Sequence, residues 1–125
     1  MLSLVANSEA RLRALLENSP DLVLLLDGAG QIVYCNAASE PLLAYKPEEL
    51  IGNCAVELIH AEDRPAVQDL CKRLIREAGE PITARARVQR KDSTWRLLEG
   101  KARNLLHSSD VEAVVVNCRP GIRSY

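Results

Sequence analysis

The 125-residue sequence contains no phenylalanine, one tryptophan and three tyrosines. Aromatic walls are common in pockets for planar cofactors, so this scarcity counts against such a pocket. Neither charge is in surplus: sixteen basic and seventeen acidic side chains leave a net charge of −1. A general nucleic-acid binder would need extra cations to neutralise phosphates. No apolar run reaches the ~18 residues that a membrane span requires. The opening MLSLVANSEAR lacks the basic segment and longer apolar stretch of a signal peptide. The four cysteines, at 35, 54, 71 and 118, form no CxxC pair, and reduced, mostly buried thiols are expected. The two histidines, His60 and His107, fall at no zinc-ligand spacing. Phosphate loops, metalloprotease motifs and nucleophile elbows are missing too, which argues against an enzyme. The expectation is a cytosolic, soluble protein without metal, membrane or nucleic-acid partners.

Apolar residues make up 47% of the chain and charged residues 26%, an ordinary globular balance. The length fits one domain that buries roughly two-thirds of its unfolded surface. NSEARLRALLEN (7–18) carries a helical stripe of Leu12, Leu15 and Leu16, which Val5 extends back by two turns. Ser19-Pro20-Asp21 breaks it. LVLLLD (22–27), the turn GAG and QIVYCN (31–36) read as a β-hairpin. Asn36 is placed to cap a short helix that Pro41 limits. KPEELIG (46–52) starts another helix with Pro47, Glu48 and Glu49. From Glu62 to Ala78, residues Val67, Leu70, Cys71, Leu74, Ile75 and Ala78 share one helix face, and Gly79 is the stop. Glu62 and Asp63 suit the positive end of that helix dipole.

Three strands follow. PITARARVQR alternates, with Ile82, Ala84, Ala86 and Val88 on one face. TWRLLEGKARNLL places Leu98, Gly100 and Ala102 inward, and VEAVVVNCR is a continuous apolar run. The order predicts an α+β fold with a five-stranded antiparallel sheet. The continuous runs at 22–26 and 113–116 are expected at its centre, with the alternating strand at or near an edge.

On LLENSPDLVLLLDGAGQIVYCNAASEPLLAYKPEELIG, LIHAEDR and RKDSTWRLLEGKARNLL, the chain resembles a PAS (Per-Arnt-Sim) sensor domain of bacterial signalling proteins. The resemblance implies a sheet curved around a core cavity and flanked by helices. It also implies an input or dimerisation module of the kind found in histidine kinases and other two-component proteins, cyclic-dinucleotide enzymes and transcription regulators, usually without catalysis of its own. The expected division is an N-terminal helix (1–18), the PAS domain (19–119) and a C-terminal tail (120–125). Three departures stand out. Lys46 replaces a frequent capping serine, Pro41 interrupts the first short helix, and NCRPGIRSY replaces the usual Asp-Ile-Thr exit.

Light-sensing flavin domains of this family carry Gly-x-Asn-Cys-Arg-Phe-Leu-Gln. Gly52-Asn53-Cys54 is one residue short of that motif and continues as AVELI, so Cys54 is read as a small apolar helix residue and no flavin is expected. Haem is not expected either, because the 62–78 helix contains no histidine. The inward-facing residues expected around a cavity are Leu24, Leu26, Val33, Cys35, Val88, Leu98 and Val115, with Asn117 as a polar group. Val5, Leu12, Leu15 and Leu16 on the first helix, with Trp95, Leu97, Val114 and Val116 on the outer sheet face, are the expected homodimer surface. The leading expectation is a module acting through homodimer association, passing its signal to an output domain or partner protein. A sensor of a small apolar metabolite or cofactor is the alternative. A filled core would favour the first, and a cavity with a polar group directed into it the second.

Overall fold

A computed structural model describes the backbone of residues 2–76 and 79–121, and the side chains of residues 9–76 and 79–121. The elements run α1 (Leu2–Glu17), β1 (Leu22–Leu26), β2 (Ile32–Cys35), α2 (Ser39–Leu43), α3 (Pro47–Leu50), a 3-10 turn (Ala55–Leu58), α4 (Arg64–Arg76), β3 (Ile82–Gln89), β4 (Trp95–Leu105) and β5 (Ala113–Pro120). The five strands form one antiparallel sheet in the order β2-β1-β5-β4-β3. The continuous apolar runs therefore lie inside the sheet, and the alternating β3 is an edge, as the sequence predicts.

Both sheet edges are covered by the segments between α3 and α4. The N–H of Gly52 donates to Ile32 at 2.7 Å, that of Ile32 to Asn53 at 2.9 Å, and that of Ala55 to Gly30 at 3.0 Å. Gly52 takes a φ of +94° to make this turn after α3, a conformation that costs glycine little. On the other edge Ile59 bridges Val88 and the N–H of His60 donates to Arg87 at 2.8 Å. Unpaired edges invite association with other strands, and here each is partly occupied.

The packed core lies at the β1–β2 end. Leu22, Leu24, Ile32, Cys35, Ala38, Leu42, Leu43, Leu50, Leu98 and Cys118 form one cluster. Asn36 is fully buried within this end of the domain. It does not cap the short helix, which begins at Ser39. Its Oδ1 accepts from the N–H of Val23 at 2.9 Å, and its Nδ2 donates to the carbonyls of Leu16 at 2.7 Å and Asp21 at 3.0 Å. One side chain thus ties together α1, the linker and β1. A second tie to α1 is the Tyr34 hydroxyl, which donates to Glu17 at 2.8 Å. Desolvation, then the Glu17 hydrogen bond, pushes the Tyr34 phenol up to about 12. At α3 the Lys46 departure is offset by Glu49, whose Oε1 accepts from the Lys46 N–H.

The Asn36→Ala variant leaves a buried N–H and two carbonyls without their partners. Urea denaturation is expected to show a loss of about 2–4 kcal/mol, and an unchanged midpoint would remove Asn36 from this role.

Candidate ligand cavity

The inner sheet face carries unusually small side chains where α4 crosses it. Ala84 pairs with Gly100, Ile82 with Ala102, and Ala86 with Leu98. A Cβ at Gly100 would meet Cys118 Sγ at 3.4 Å, so β4 and β5 are closely packed there. Above that surface α4 is anchored near its two ends. At the start, Asp63 accepts from the Arg87 backbone N–H at 2.9 Å and from its guanidinium at 2.9 and 3.0 Å. Toward the end, Asn104 Nδ2 donates to the carbonyl of Leu74 at 3.1 Å.

Between α4 and the sheet lies a cavity of about 890 Å³. That lies within the usual range for small-molecule sites. Its walls are aliphatic: Leu22, Leu24, Leu26 and Val116 on the sheet, Leu58 and Ile59 at the end of the 3-10 turn, and Val67 and Leu70 on α4. The exposed lining residues belong to the β1–β2 turn (Gly28, Ala29) and to α4 (Gln68, Cys71, Lys72, Ile75, Arg76). They mark the mouth. Among the described residues the α4 face expected to be buried is therefore buried only at Leu74, whereas Ile75 is 43% exposed and Cys71 is exposed; Ala78 lies outside the described residues. Helical spacing identified the apolar face correctly, but it faces a void rather than packed side chains.

The cavity receives half of the side chains expected in it. Leu24, Leu26, Val88 and Leu98 line it. Val33 does not: the β1–β2 register shifts between Leu25 and Leu26, so Ile32 pairs with Leu26 and Val33 is left 51% exposed. A bulge of this kind reverses the parity read from simple alternation. Cys35 is buried in the packed core next to the cavity. On β5 the faces are exchanged. Val116 pairs with Leu24 and Ala102 and lines the cavity with Cys118. Val114, of the same parity, is buried on that side. Val115 pairs with Leu25 on the outer face. Asn117 lies in a polar recess there with Asp21, Thr83, Glu99, Lys101 and Arg119.

Val114 and Val116 therefore leave the expected dimer surface, and Val115 and Asn117 leave the expected cavity. An unbroken Val-Val-Val run carries no alternation from which to choose a face. Leu97 and Trp95 remain outward by parity with Leu98, the Trp95 ring lying 4.6 Å from His60. Leu12 and Leu15 on α1 are exposed and Leu16 is half-buried. The Val5 side chain lies outside the described residues.

Asp63 is the functional-region residue that sequence reading undervalued. A helix dipole explains an acid at this position, but the carboxylate reaches across to β3. Glu62 adds a second, exposed contact to Arg87 at 3.1 Å. His60 lies outside the cavity and accepts from the Glu62 N–H through Nδ1 at 3.1 Å. Cys54 precedes the 3-10 turn instead of lying in a helix, pairs with Gln31 and contributes to the cavity wall. Among the described residues, no three metal-ligating side chains cluster, and the four thiols are free. Burial pushes the Cys118 thiol up to about 12 and also raises Cys35.

A small-residue inner sheet face, a spanning helix and a cavity between them, in this strand order, belong to a known architecture. The family model described as PAS fold matches residues 10–120. The chain belongs to the PAS family. The PAS domain of an HTR-like protein from Haloarcula marismortui superposes with a TM-score of 0.80 at 24% identity, over 95% of this chain and 96% of that one. A domain of a sensory box sensor histidine kinase/response regulator from Geobacter sulfurreducens gives 0.74 at 20% identity, over 92% and 96%. These likenesses establish the fold. In sequence, the Period circadian protein of Manduca sexta is 29% identical over 70 residues, which are 56% of this chain and 20% of that protein. The match thus spans about a fifth of that curated relative.

The Arg87 guanidinium, then the Arg87 backbone N–H, hold Asp63 at about 2, below its ordinary 3.8. Because the folded-state value is depressed, the contribution is fully present above the ordinary value and is lost as pH falls toward 2. Asp63→Asn is expected to lower stability by about 1–2 kcal/mol at neutral pH, since the pair is partly solvated. It should also flatten the acid limb of a melting-temperature profile between about pH 4 and 2. Parallel wild-type and variant profiles would contradict the assignment.

Proposed function

We propose that this PAS domain is a non-catalytic sensor module that takes a small apolar molecule into the cavity between α4 and the sheet. The observation that carries this reading is the 890 Å³ aliphatic cavity itself. Protein interiors are normally packed to crystal-like density, and an unfilled apolar void weakens a fold. A ligand that fills the void stabilises the state that holds it. Occupancy then acts on α4, which borders the cavity and is tied to β3 through Asp63. The output lies in another domain or a partner protein of a bacterial-type signal-transduction system, in the cytoplasm. Among the described residues no helix is long and apolar enough to cross a membrane.

A second reading, homodimer association, is favoured by α1. Its Leu12 and Leu15 are 62% and 70% exposed, on a helix tied to the domain near its C-terminal end by Glu17 and the Leu16 carbonyl. Two such helices laid together would cover both stripes, and ligand sensing and dimerisation are compatible in one module.

The sensor reading is tested by native mass spectrometry and thermal shift with a panel of small apolar compounds. Wild-type protein is expected to carry or acquire ligand mass and to melt several degrees higher. Ala84→Leu with Ala86→Leu, which fills the cavity, should bind none. A wild-type melting temperature unmoved by every compound, with no added mass, would sink the reading. For association, sedimentation of wild-type protein is expected to show a dimer that Leu12→Glu with Leu15→Glu weakens at least tenfold. A monomer at all concentrations would refute it.

A further inference from the structure

We infer that the ligand is an aliphatic molecule with one anionic head group, of the chemical class of a medium-chain carboxylate, whose head lies between Lys72 and Arg76. The inference rests on the sensor reading and specifies its ligand. Among the described residues no acidic, aromatic or histidine side chain lines the cavity, and the only charged lining residues are Lys72 and Arg76. Both are exposed, as expected for groups at a mouth rather than within the wall. Gln68, Lys72 and Arg76 follow one another at i, i+4 and i+8 on α4, so they form a single stripe along the opening.

Neither cation forms an ion pair with a described residue. Other described cations such as Arg73 and Arg96 are also without an ion pair, so what distinguishes Lys72 and Arg76 is their place in the cavity lining. The helix dipole favours basic residues in the last turn of α4, but it does not choose their side. Arg73, also in that turn, is not part of the lining. Lys72 and Arg76 can lay their methylene stems on the apolar wall and keep their charged ends at the water boundary. That boundary is where the head of an amphiphile would stand once its chain is buried. Among the described residues the interior offers no ring on which a planar ligand could stack, and its sheet wall is made of Leu, Ile, Val, Ala and Gly with Cys118.

The test is titration calorimetry of the full chain with octanoate, octanol and octylammonium at submicellar concentrations, repeated with Lys72→Gln/Arg76→Gln. The wild type is expected to prefer octanoate. The double variant should bind octanoate about tenfold more weakly, as two partly exposed ion pairs imply, and octanol equally well. Added salt should weaken octanoate alone. Equal octanoate binding by both proteins, or a preference for octanol or octylammonium, would overturn the head-group assignment and leave the cavity reading standing. Binding of none of the three overturns this inference. The cavity reading falls separately, only if the wider panel of apolar compounds also fails to bind.

Discussion

The suspension of α4 over the sheet is the constraint on which the rest of this molecule depends. At its start Asp63 holds the backbone and guanidinium of Arg87, and toward its end Asn104 holds the Leu74 carbonyl. A helix fixed near both ends cannot sink onto the sheet to meet the small side chains of Ala84, Ala86 and Gly100. Polar contacts with directional geometry set a spacing that apolar contact alone would tend to close. The cavity is the result of that conflict.

The two halves of the domain consequently do different work. Around β1 and β2 the buried cluster forms one end of the cavity wall, and Asn36 satisfies three backbone groups from separate segments. Around β3 and β4 the interior is open and its helix is half-solvated. Such an arrangement lets one region keep the fold while the other responds to what enters it, because local stability need not be uniform. The edge coverings join the halves: residues 52–55 lie along β2, and residues 59–60 lie along β3, immediately before α4.

The polar surface follows a different logic on each side of the sheet. On the outer face Glu99 accepts from both Arg85 and Arg119, so one carboxylate links charges across three strands. This polar ladder divides the outer face, leaving Leu97 and Trp95 near one end of β4. On the inner side the rim cations of α4 have no such partners among the described residues, and the interior behind them has no polar side chain comparable to Asn117. A sheet with these two faces meets a ligand and a second protein surface through separate chemistry.

Much of this architecture was determined locally. The hairpin at 22–36, the α4 stripe and the alternation of β3 are periodic signals that depend on neighbouring residues, and they predicted the elements, the sheet and the family resemblance. The small residues at 84, 86, 100 and 102 were legible too, because alternation fixes their face. Tertiary structure decided the rest. The parity of Val114 to Asn117 depends on pairing with Leu24 and Ala102, since an unbroken apolar run has no internal phase. Val33 was displaced by a bulge formed only when β1 and β2 met. Whether the α4 stripe met a packed wall or a void depended on the Asp63–Arg87 and Asn104–Leu74 contacts, which join residues 24 and 30 positions apart. Periodicity can show which face of an element is apolar, but the distance to the opposite face is set by contacts far away in the chain.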